Sequence, residues 1–248
     1  MKKESLLSVL KNQFGFDEKK SIGLILSGLV LVDDKVIDKT GFLIKPSSKI
    51  RFKKIKEYVS RGAYKLLTIF DNFSLSVKDK ICFDVGSSTG GFTEILLEKD
   101  VKKVYAIDCG QNQLDYSLRT NPKVVSIENK RISDLKNTDI NDVVDFAVMD
   151  LSFTSSVPAI QHLDKEFSIK QIIVLIKPQF EYERLTERLN LTPNFSGIVE
   201  NDTDRLKIIE FIQKEIKEIG YDIKFKIESQ IKGTKGNIEY LWFIDKSV

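Results

Sequence analysis

Apolar and polar positions along the chain follow two periods, one typical of strands and one typical of helices. From Ile81 onward, short apolar runs alternate with amphipathic segments, a pattern typical of a mostly parallel sheet with helices on both faces. It predicts strands at 80–85, 103–107, 124–127, 144–149, 171–176, 221–227 and 238–244, and helices at 91–98, 113–119, 155–163 and 202–219. Asp202 is expected to cap the last helix and Gly220 to end it. We therefore predict an α/β domain whose ligands bind beyond the carboxyl ends of the strands.

The first 57 residues follow a different pattern, typical of a small α+β module. It predicts two helices at 3–14 and 18–26, a hairpin of strands 29–32 and 36–37, and an edge strand at 49–53. A polar bridge follows this last strand. We therefore place a domain boundary near residue 57, which gives domains 1–57 and 58–248.

Composition is that of a folded protein without a membrane-spanning segment. The 248 residues are 42% hydrophobic and 30% charged, which excludes disordered and low-complexity classes. The longest apolar-rich stretch, 22–32, is far shorter than the roughly 18 to 20 residues that cross a bilayer. The N-terminus lacks the pattern of an export signal, so a cytoplasmic location is expected. Cys82, Cys109 and His162 have no metal-ligand or disulfide spacing and are interpreted as structural.

Positive charge is concentrated at the N-terminus. Residues 1–57 hold thirteen Lys and Arg against seven Asp and Glu, whereas the rest of the chain is slightly acidic. This asymmetry suggests that the first module meets a polyanion. A solvated lysine-rich face would give the same count, so charge alone leaves both interpretations open.

A glycine-rich loop follows the first strand of the predicted sheet and opens a helix. It runs from Asp84 to Phe92, and its small residues allow a ligand to approach the backbone closely. Neither the dinucleotide pattern nor the phosphate loop is present. Asp108 ends the next strand, where an acid accepts hydrogen bonds from a ribose diol.

These features favour S-adenosylmethionine, a cationic nucleoside cofactor without phosphate. A tight strand-to-helix turn with an N-capping acid is the alternative. The predicted cofactor-binding residues are Asp84, Gly86, Ser87, Ser88, Thr89, Gly90, Gly91, Phe92, Asp108 and Asp150.

Four further polar residues are candidates for a catalytic site, namely Lys65, Asp150, Lys177 and Glu239. Taken alone, each of these residues could also be a lysine exposed to solvent or an acid that caps a helix. Together they suit methyl transfer to a ribose hydroxyl, which requires in-line placement and removal of a proton. We assign Lys177 as base or hydroxyl-orienting group, Lys65 as a second cation, Glu239 as the carboxylate that positions a lysine, and Asp150 as the acid near the methyl group.

These residues form a recognisable set. The chain resembles the TlyA family of ribosomal RNA 2'-O-methyltransferases, whose members also carry the name hemolysin, within the FtsJ-like group with its Lys-Asp-Lys-Glu tetrad. The resemblance rests on the motifs at 60–66, 84–93, 150–153, 177–181, 197–199 and 231–239. It implies a Rossmann-like class I methyltransferase sheet with an antiparallel last strand. It also implies methylation of cytidine riboses in 16S ribosomal RNA, and in some members of 23S, with S-adenosylmethionine as cofactor.

The N-terminal module is similar to the small RNA-binding domain of ribosomal protein S-four. The similarity covers 26–32, 36–39 and 49–52, whereas the opening, Glu4-Ser-Leu-Leu, departs from the pattern. It implies contacts with phosphates of ribosomal RNA in the small and, in some members, the large subunit. The predicted RNA-binding residues are Lys11, Lys19, Lys20, Lys49, Arg51, Lys53, Lys54 and Arg61.

Three other functions are compatible with parts of the sequence. A membrane-lytic protein is disfavoured by the lack of an export signal, a spanning segment or a long basic amphipathic helix. A nucleotide-dependent oxidoreductase would need a pyrophosphate loop that 84–92 does not provide. A non-catalytic RNA-binding or ribosome assembly protein would not need all four tetrad positions filled.

Overall fold

The computed structural model describes residues 3–26, 28–52, 58–193 and 195–246. The chain divides into two compact units, Met1–Glu57 and Tyr58–Val248.

The first unit consists of two helices and short strands. Its elements are β1 (Glu4–Ser5), α1 (Leu6–Phe14), α2 (Glu18–Leu26), β2 (Val30–Val32), β3 (Lys35–Val36), β4 (Leu43–Ile44) and β5 (Ile50–Phe52). Within the described part of this unit, β2 lies between β3 and β5, and β1 pairs with β4.

Two details of the N-terminal prediction are wrong. The helix predicted from residue 3 begins at Leu6, because the Ser5 hydroxyl accepts a hydrogen bond from the Ser8 amide and caps it there. The pair of strands β1 and β4 was not predicted, since two residues are too short to show a period. The core of the unit is formed by apolar side chains of both helices and the strands, among them Leu6, Leu10, Ile25 and Val30.

The second unit is a helix-covered sheet. Its elements are α3 (Gly62–Asn72), β6 (Ile81–Val85), α4 (Gly91–Glu98), β7 (Lys103–Ile107), α5 (Tyr116–Arg119), β8 (Val124–Ile127), β9 (Phe146–Met149), α6 (Ser156–Phe167), β10 (Gln171–Ile176), α7 (Pro178–Leu189), α8 (Asp202–Glu218), β11 (Asp222–Glu228) and β12 (Tyr240–Asp245).

Among the described residues, seven strands form this sheet in the order β11-β12-β10-β9-β6-β7-β8. Strand β12 is antiparallel to both of its neighbours, and the other pairs are parallel. The expected mostly parallel sheet with an antiparallel last strand is confirmed.

The central strands are apolar on both faces because each face has its own core. Ile81, Phe83 and Val85 of β6 pack into one cluster with α6 and α8, whereas Cys82 packs into the other with α3 and α4. Burial on both faces explains why these strands appear in the sequence as continuous apolar runs.

Helix α7 was not predicted, although it begins directly after Lys177. Pro178 occupies its first position, where a missing amide hydrogen costs nothing. For two helices that were predicted, α5 and α6, one predicted end is wrong. Helix α5 starts only at Tyr116, because Asp115 caps it, and α6 continues to the buried Phe167.

Two boundaries near the C-terminus also differ from the prediction. The Asn201 side chain, not Asp202, caps α8 by accepting hydrogen bonds from the amides of Thr203 and Asp204. Strand β12 starts at Tyr240, so Glu239 lies just before it and not inside it.

The residues set aside as structural have ordinary surroundings. Cys82 is buried, and burial raises the pKa of its thiol to about 12, whereas Cys109 is exposed. The His162 ring nitrogen Nε2 lies 2.8 Å from the carbonyl oxygen of Leu135. No helix in the described part of the chain is both long enough and apolar enough to cross a membrane.

Candidate active site

A cleft of about 340 Å³ lies where β6, β9 and β10 end. These strands are neighbours in the sheet, so the segments that follow them meet at one edge. The cleft is lined by Ser60, Arg61, Gly62, Lys65, Gly86, Ser87, Ser88, Thr89, Gly91, Phe92, Asp150, Ser152, Lys177, Phe180, Ile231, Lys232, Gly233 and Glu239. All four predicted catalytic residues are among them.

Close packing fixes the glycine loop against its neighbours. Gly86 has φ +81°, and a Cβ atom there would lie 2.5 Å from the backbone oxygen of Asp150. A Cβ atom on Gly91 would lie 2.2 Å from the Ser60 hydroxyl oxygen. Side chains at either position would force the loop away from the segments that form the opposite wall of the cleft.

Asp84 lies beneath the loop and does not line the cleft. Its carboxylate is fully buried and accepts a hydrogen bond of 2.6 Å from the Thr93 hydroxyl, whereas Oδ1 has no hydrogen-bond partner among the described residues. Burial raises the pKa of Asp84 to about 7, although the Thr93 hydroxyl opposes the shift. An acid in this position favours a nearby positive charge.

Asp108 and Gly90 also lie outside the cleft lining. The Asp108 carboxylate accepts hydrogen bonds from the backbone amides of Ser88, at 2.8 Å, and Gly110, at 2.7 Å. Each oxygen therefore keeps lone-pair capacity for a further donor. Gly90, with φ +98°, faces the side chain of Leu118.

Lys177 and Asp150 form one of two lysine–carboxylate pairs in the cleft. The Lys177 Nζ atom lies 2.6 Å from Asp150 Oδ1, a close ion pair without the angles of a hydrogen bond. The ammonium also donates a hydrogen bond of 3.1 Å to the Ser152 hydroxyl. Lys177 is only 9% exposed, so its amine is held by these two partners at the wall of the cleft.

Lys65 and Glu239 form the second pair. The Lys65 Nζ atom donates a hydrogen bond of 2.6 Å to Glu239 Oε2, across a sequence separation of 174 residues. The other oxygen, Oε1, accepts a hydrogen bond of 2.8 Å from Gln179 Nε2. Glu239 is only 2% exposed. The structure thus gives each lysine its own carboxylate and brings both pairs to one cleft.

Asn237 ties the loop before β12 to a second loop. Its side chain donates to the Gly197 carbonyl at 2.9 Å and accepts from the Val199 amide at 3.1 Å. Gly233 of the same loop packs against Glu239, since a Cβ atom there would lie 2.0 Å from Oε1. The motifs at 197–199 and 231–239 are therefore parts of one structure that supports Glu239.

The sequence did not single out several residues that line the cleft or contact its lining. Phe153 is 90% exposed and has φ +61°, a backbone conformation that costs energy for a bulky side chain. Its ring centroid lies 5.0 Å from that of Phe180, over which the Lys177 ammonium sits at 5.4 Å. An exposed aromatic ring thus lies next to Phe180 of the cleft lining. Gln179, Ser152 and Lys232 were also missed.

The predicted RNA-binding residues have varied surroundings. Lys11 pairs with Glu18, and Arg51 pairs with Asp34, on exposed surface. The Lys20 ammonium lies 4.6 Å from the Phe16 ring centroid, and Lys19 and Lys49 are exposed. Lys53 and Lys54 lie outside the described residues. Arg61 lines the cleft.

The charged residues along the cleft lining make it cationic. They are Arg61, Lys65, Lys177 and Lys232, against Asp150 and Glu239. A cleft with excess positive charge attracts a polyanion.

The chain is similar to proteins with methyltransferase and hemolysin names. Residues 58–246 match the family model FtsJ-like methyltransferase. Hemolysin A of Brachyspira hyodysenteriae is 38% identical over 231 residues, which cover 92% of this chain and 94% of that protein. The 16S/23S rRNA (cytidine-2'-O)-methyltransferase TlyA of Mycobacterium tuberculosis is 35% identical over 189 residues, which cover 75% of this chain and 68% of that protein.

A solved structure extends the likeness to the whole fold. It comes from Streptococcus thermophilus and is provisionally named a hemolysin. It has a TM-score of 0.71 and 33% identity to this chain, and the match covers 100% of this chain and 90% of that one.

Proposed function

Because the chain belongs to the FtsJ-like methyltransferase family, within the group of TlyA and Hemolysin A, we propose that it methylates the 2'-oxygen of a ribose in ribosomal RNA. The observation that carries this proposal is the meeting of two lysine–carboxylate pairs, each with one buried member, beside the glycine loop in one cleft. That set suits alkylation of a weakly acidic hydroxyl.

S-adenosylmethionine is the proposed methyl donor, and the residues present fit it. A volume of about 340 Å³ falls within the range of ligand pockets, roughly 300–1,000 Å³. Gly86 and Gly91 let the loop pack directly against Asp150 and Ser60, which keeps the backbone of the loop along the cleft. The remaining lone pairs of Asp108 suit a ribose diol, and the buried acid of Asp84 beneath the loop favours a positive charge nearby, as in a cationic nucleoside without phosphate. When bound, this cofactor supplies an electrophilic methyl group on a sulfonium.

The other members of the proposed cofactor site are loop residues and Asp150. Ser87, Ser88 and Thr89 line the cleft, and Phe92 provides an apolar wall. Gly90 contributes by letting the loop turn at φ +98°.

Lys177 is the proposed group that acts on the ribose hydroxyl. It orients the hydroxyl or, as a neutral amine, accepts its proton while the oxygen forms a bond to the methyl carbon and the carbon–sulfur bond breaks. The ammonium form lacks a lone pair and cannot accept a proton. Asp150 and Ser152 hold the Lys177 nitrogen in place for either role.

Lys65 supplies the second cation, and Glu239 fixes it. A buried carboxylate is stable only with partners, and Glu239 has one for each oxygen. Lys65 is therefore held at the wall of the cleft, where its charge adds to the positive charge of the lining.

Ribosomal RNA is the proposed substrate because the cleft is cationic and because a relative at 35% identity is named for cytidine-2'-O methylation of 16S and 23S rRNA. We propose that this chain also modifies cytidine, with 16S ribosomal RNA as its first substrate and 23S ribosomal RNA as its second. The N-terminal unit is proposed to act as an S-four-like RNA-binding domain. Its proposed phosphate contacts are Lys11, Lys19, Lys20, Lys49, Arg51, Lys53 and Lys54, together with Arg61 at the cleft.

Membrane lysis is a second candidate, favoured by the hemolysin names of the Brachyspira hyodysenteriae relative and of the Streptococcus thermophilus structure. Lysis by the purified chain would have to persist in a Lys177→Ala variant for the two functions to be independent. Red-cell lysis by wild type and variant measures this directly.

Methyl transfer is tested with separated ribosomal subunits that lack the modification. The chain is incubated with radiolabelled methyl donor and each subunit, and nuclease mapping locates the labelled ribose. Label on a cytidine 2'-oxygen is expected, and Lys177→Ala should give none. Label on a base, or none with either subunit, would overturn the proposal.

A further inference from the structure

We propose that Gln179 is a positioning residue for methyl transfer. It holds the Glu239 carboxylate in the orientation in which that carboxylate fixes Lys65. The inference rests on the proposed function and adds a residue to it. Gln179 lies in the first turn of α7, two residues after Lys177, and is 7% exposed.

The contact between Gln179 and Glu239 has a defined direction. A carboxylate only accepts hydrogen bonds, so the amide nitrogen of Gln179 must face Glu239 Oε1, at 2.8 Å. The reversed amide would set two oxygens against each other. In the observed orientation Gln179 Oε1 is buried and has no hydrogen-bond partner among the described residues. An unsatisfied buried acceptor costs free energy, so the contact with Glu239 decides how the amide is placed.

A neutral donor suits this place better than a charged one. Glu239 already pairs with Lys65 through Oε2, at 2.6 Å. A second cation on Oε1 would compete for the same negative charge, whereas an amide satisfies the oxygen and leaves the charge to Lys65. Gly233 closes the remaining side, where there is no room even for a Cβ atom.

The position of Gln179 also links the two lysine–carboxylate pairs. Lys177 immediately precedes α7 and carries the Asp150 pair, while Gln179 reaches the Lys65 pair from the same turn. Because Gln179 follows Lys177 by two residues at the start of this helix, its contact with Glu239 joins the Lys65 pair to the segment that carries the Lys177 amine.

Two substitutions separate this role from simple packing. Gln179→Leu keeps the size but removes the donor, and should lower kcat for methyl transfer about 10- to 100-fold, the effect of losing one hydrogen bond to a charged group. Cofactor affinity should change less than threefold. Gln171→Leu is the matched control, because Gln171 also bridges two charged residues, Lys80 and Asp245, but at the start of β10; its kcat should match wild type.

Gln179→Glu provides a pH signature that packing alone would not produce. Two adjacent carboxyl groups share one proton at low pH, and that proton restores a donor to Glu239. As pH rises the shared proton is lost, and repulsion displaces Glu239. The kcat of this variant relative to wild type should therefore fall as the pH rises, whereas packing alone would leave the ratio constant. The other charged residues along the same cleft are Arg61, Lys65, Asp150, Lys177 and Lys232.

The outcomes are distinct for the two proposals. If wild type and Gln171→Leu transfer methyl groups, a wild-type kcat in Gln179→Leu, or a pH-independent ratio in Gln179→Glu, overturns the role of Gln179 alone. If wild type transfers none to either subunit, the proposed function itself fails. Should Gln179→Leu not fold, Gln179→Asn, which is too short to reach Glu239, must show the same loss of kcat.

Discussion

The Lys177 ammonium lies 2.6 Å from Asp150 Oδ1 and donates to the Ser152 hydroxyl, so the amine proposed to handle the ribose hydroxyl is already oriented in the free protein. Preorganisation of this kind means that no side chain has to be recruited when substrate arrives. It also separates two roles for the lysine, because a base must lose a proton and an orienting cation need not.

Substitutions of Lys177 distinguish these roles. Lys177→Ala should abolish methyl transfer while cofactor binding, measured by calorimetry, stays within about threefold of wild type. Lys177→Arg keeps the charge beside Asp150 but cannot deprotonate in the working pH range. A base role predicts that Lys177→Arg is as inactive as Lys177→Ala. An orienting role predicts activity within about tenfold of wild type, and single-turnover rates decide between them.

Glycine at position 86 should be essential for cofactor binding. Gly86→Ala would place a methyl group 2.5 Å from the Asp150 backbone oxygen at φ +81°, so the loop must move and the cofactor affinity should fall at least 10-fold. Gly23→Ala, in α2 with nothing within 4 Å of the added atom, is the control. It should keep wild-type affinity and raise stability by about 0.5–1 kcal/mol. Equal affinities for both variants would contradict the prediction.

The stability of the protein should depend on pH through Asp84. Burial raises the pKa of this carboxyl from 3.8 to about 7, so between these values the folded protein keeps a proton that the unfolded chain has lost. The free energy of unfolding therefore falls as pH rises through this window. Asp84→Asn cannot ionise and should escape that fall, gaining up to about 4 kcal/mol relative to wild type between pH 4 and pH 8. Urea unfolding at four pH values measures the free energy of unfolding of both proteins. If the two free energies changed with pH in parallel, the proposed effect of Asp84 would be ruled out.

Phe153 should contribute to RNA substrate use but not to folding. Its ring is exposed and faces Phe180 at the cleft, and its backbone has φ +61°. This position is suited to stacking on a base, which contributes about 1–3 kcal/mol. Phe153→Ala should lower kcat/KM for RNA about 10-fold or more and leave the melting temperature and cofactor affinity unchanged. Val143→Ala, equally exposed but before β9, should alter none of these. A drop in melting temperature would instead assign Phe153 to the core.

The sequence predicted the sheet better than it predicted the helices between strands. Strands β7, β8 and β10 have the predicted bounds because each is a continuous apolar run ended by polar residues. Helix α7 was missed because its exposed face is dense in charge and only a few buried residues mark its inner face. Its first turn carries Gln179, so that contact was missed with it.

The members of the site followed from the sequence more readily than their pairing did. The carboxyl ends of neighbouring strands meet at one edge of a sheet. Asp150 and Lys177 each follow such a strand, so the sequence was enough to infer that they lie close together. Which carboxylate each lysine takes depends on the order of strands and on the placement of α3, neither of which local periodicity encodes. The partnership of Lys65 with Glu239 and the contact of Gly91 with Ser60 could be found only from the folded structure.

Strand β12 lies between β10 and β11, although it follows both of them along the described chain. A chain that has formed every earlier strand but has not yet inserted this one does not hold Glu239 at the cleft, and so has no anion to fix Lys65. We therefore expect methyl transfer to appear only after β12 inserts, so that the order of strand pairing during folding decides when activity begins.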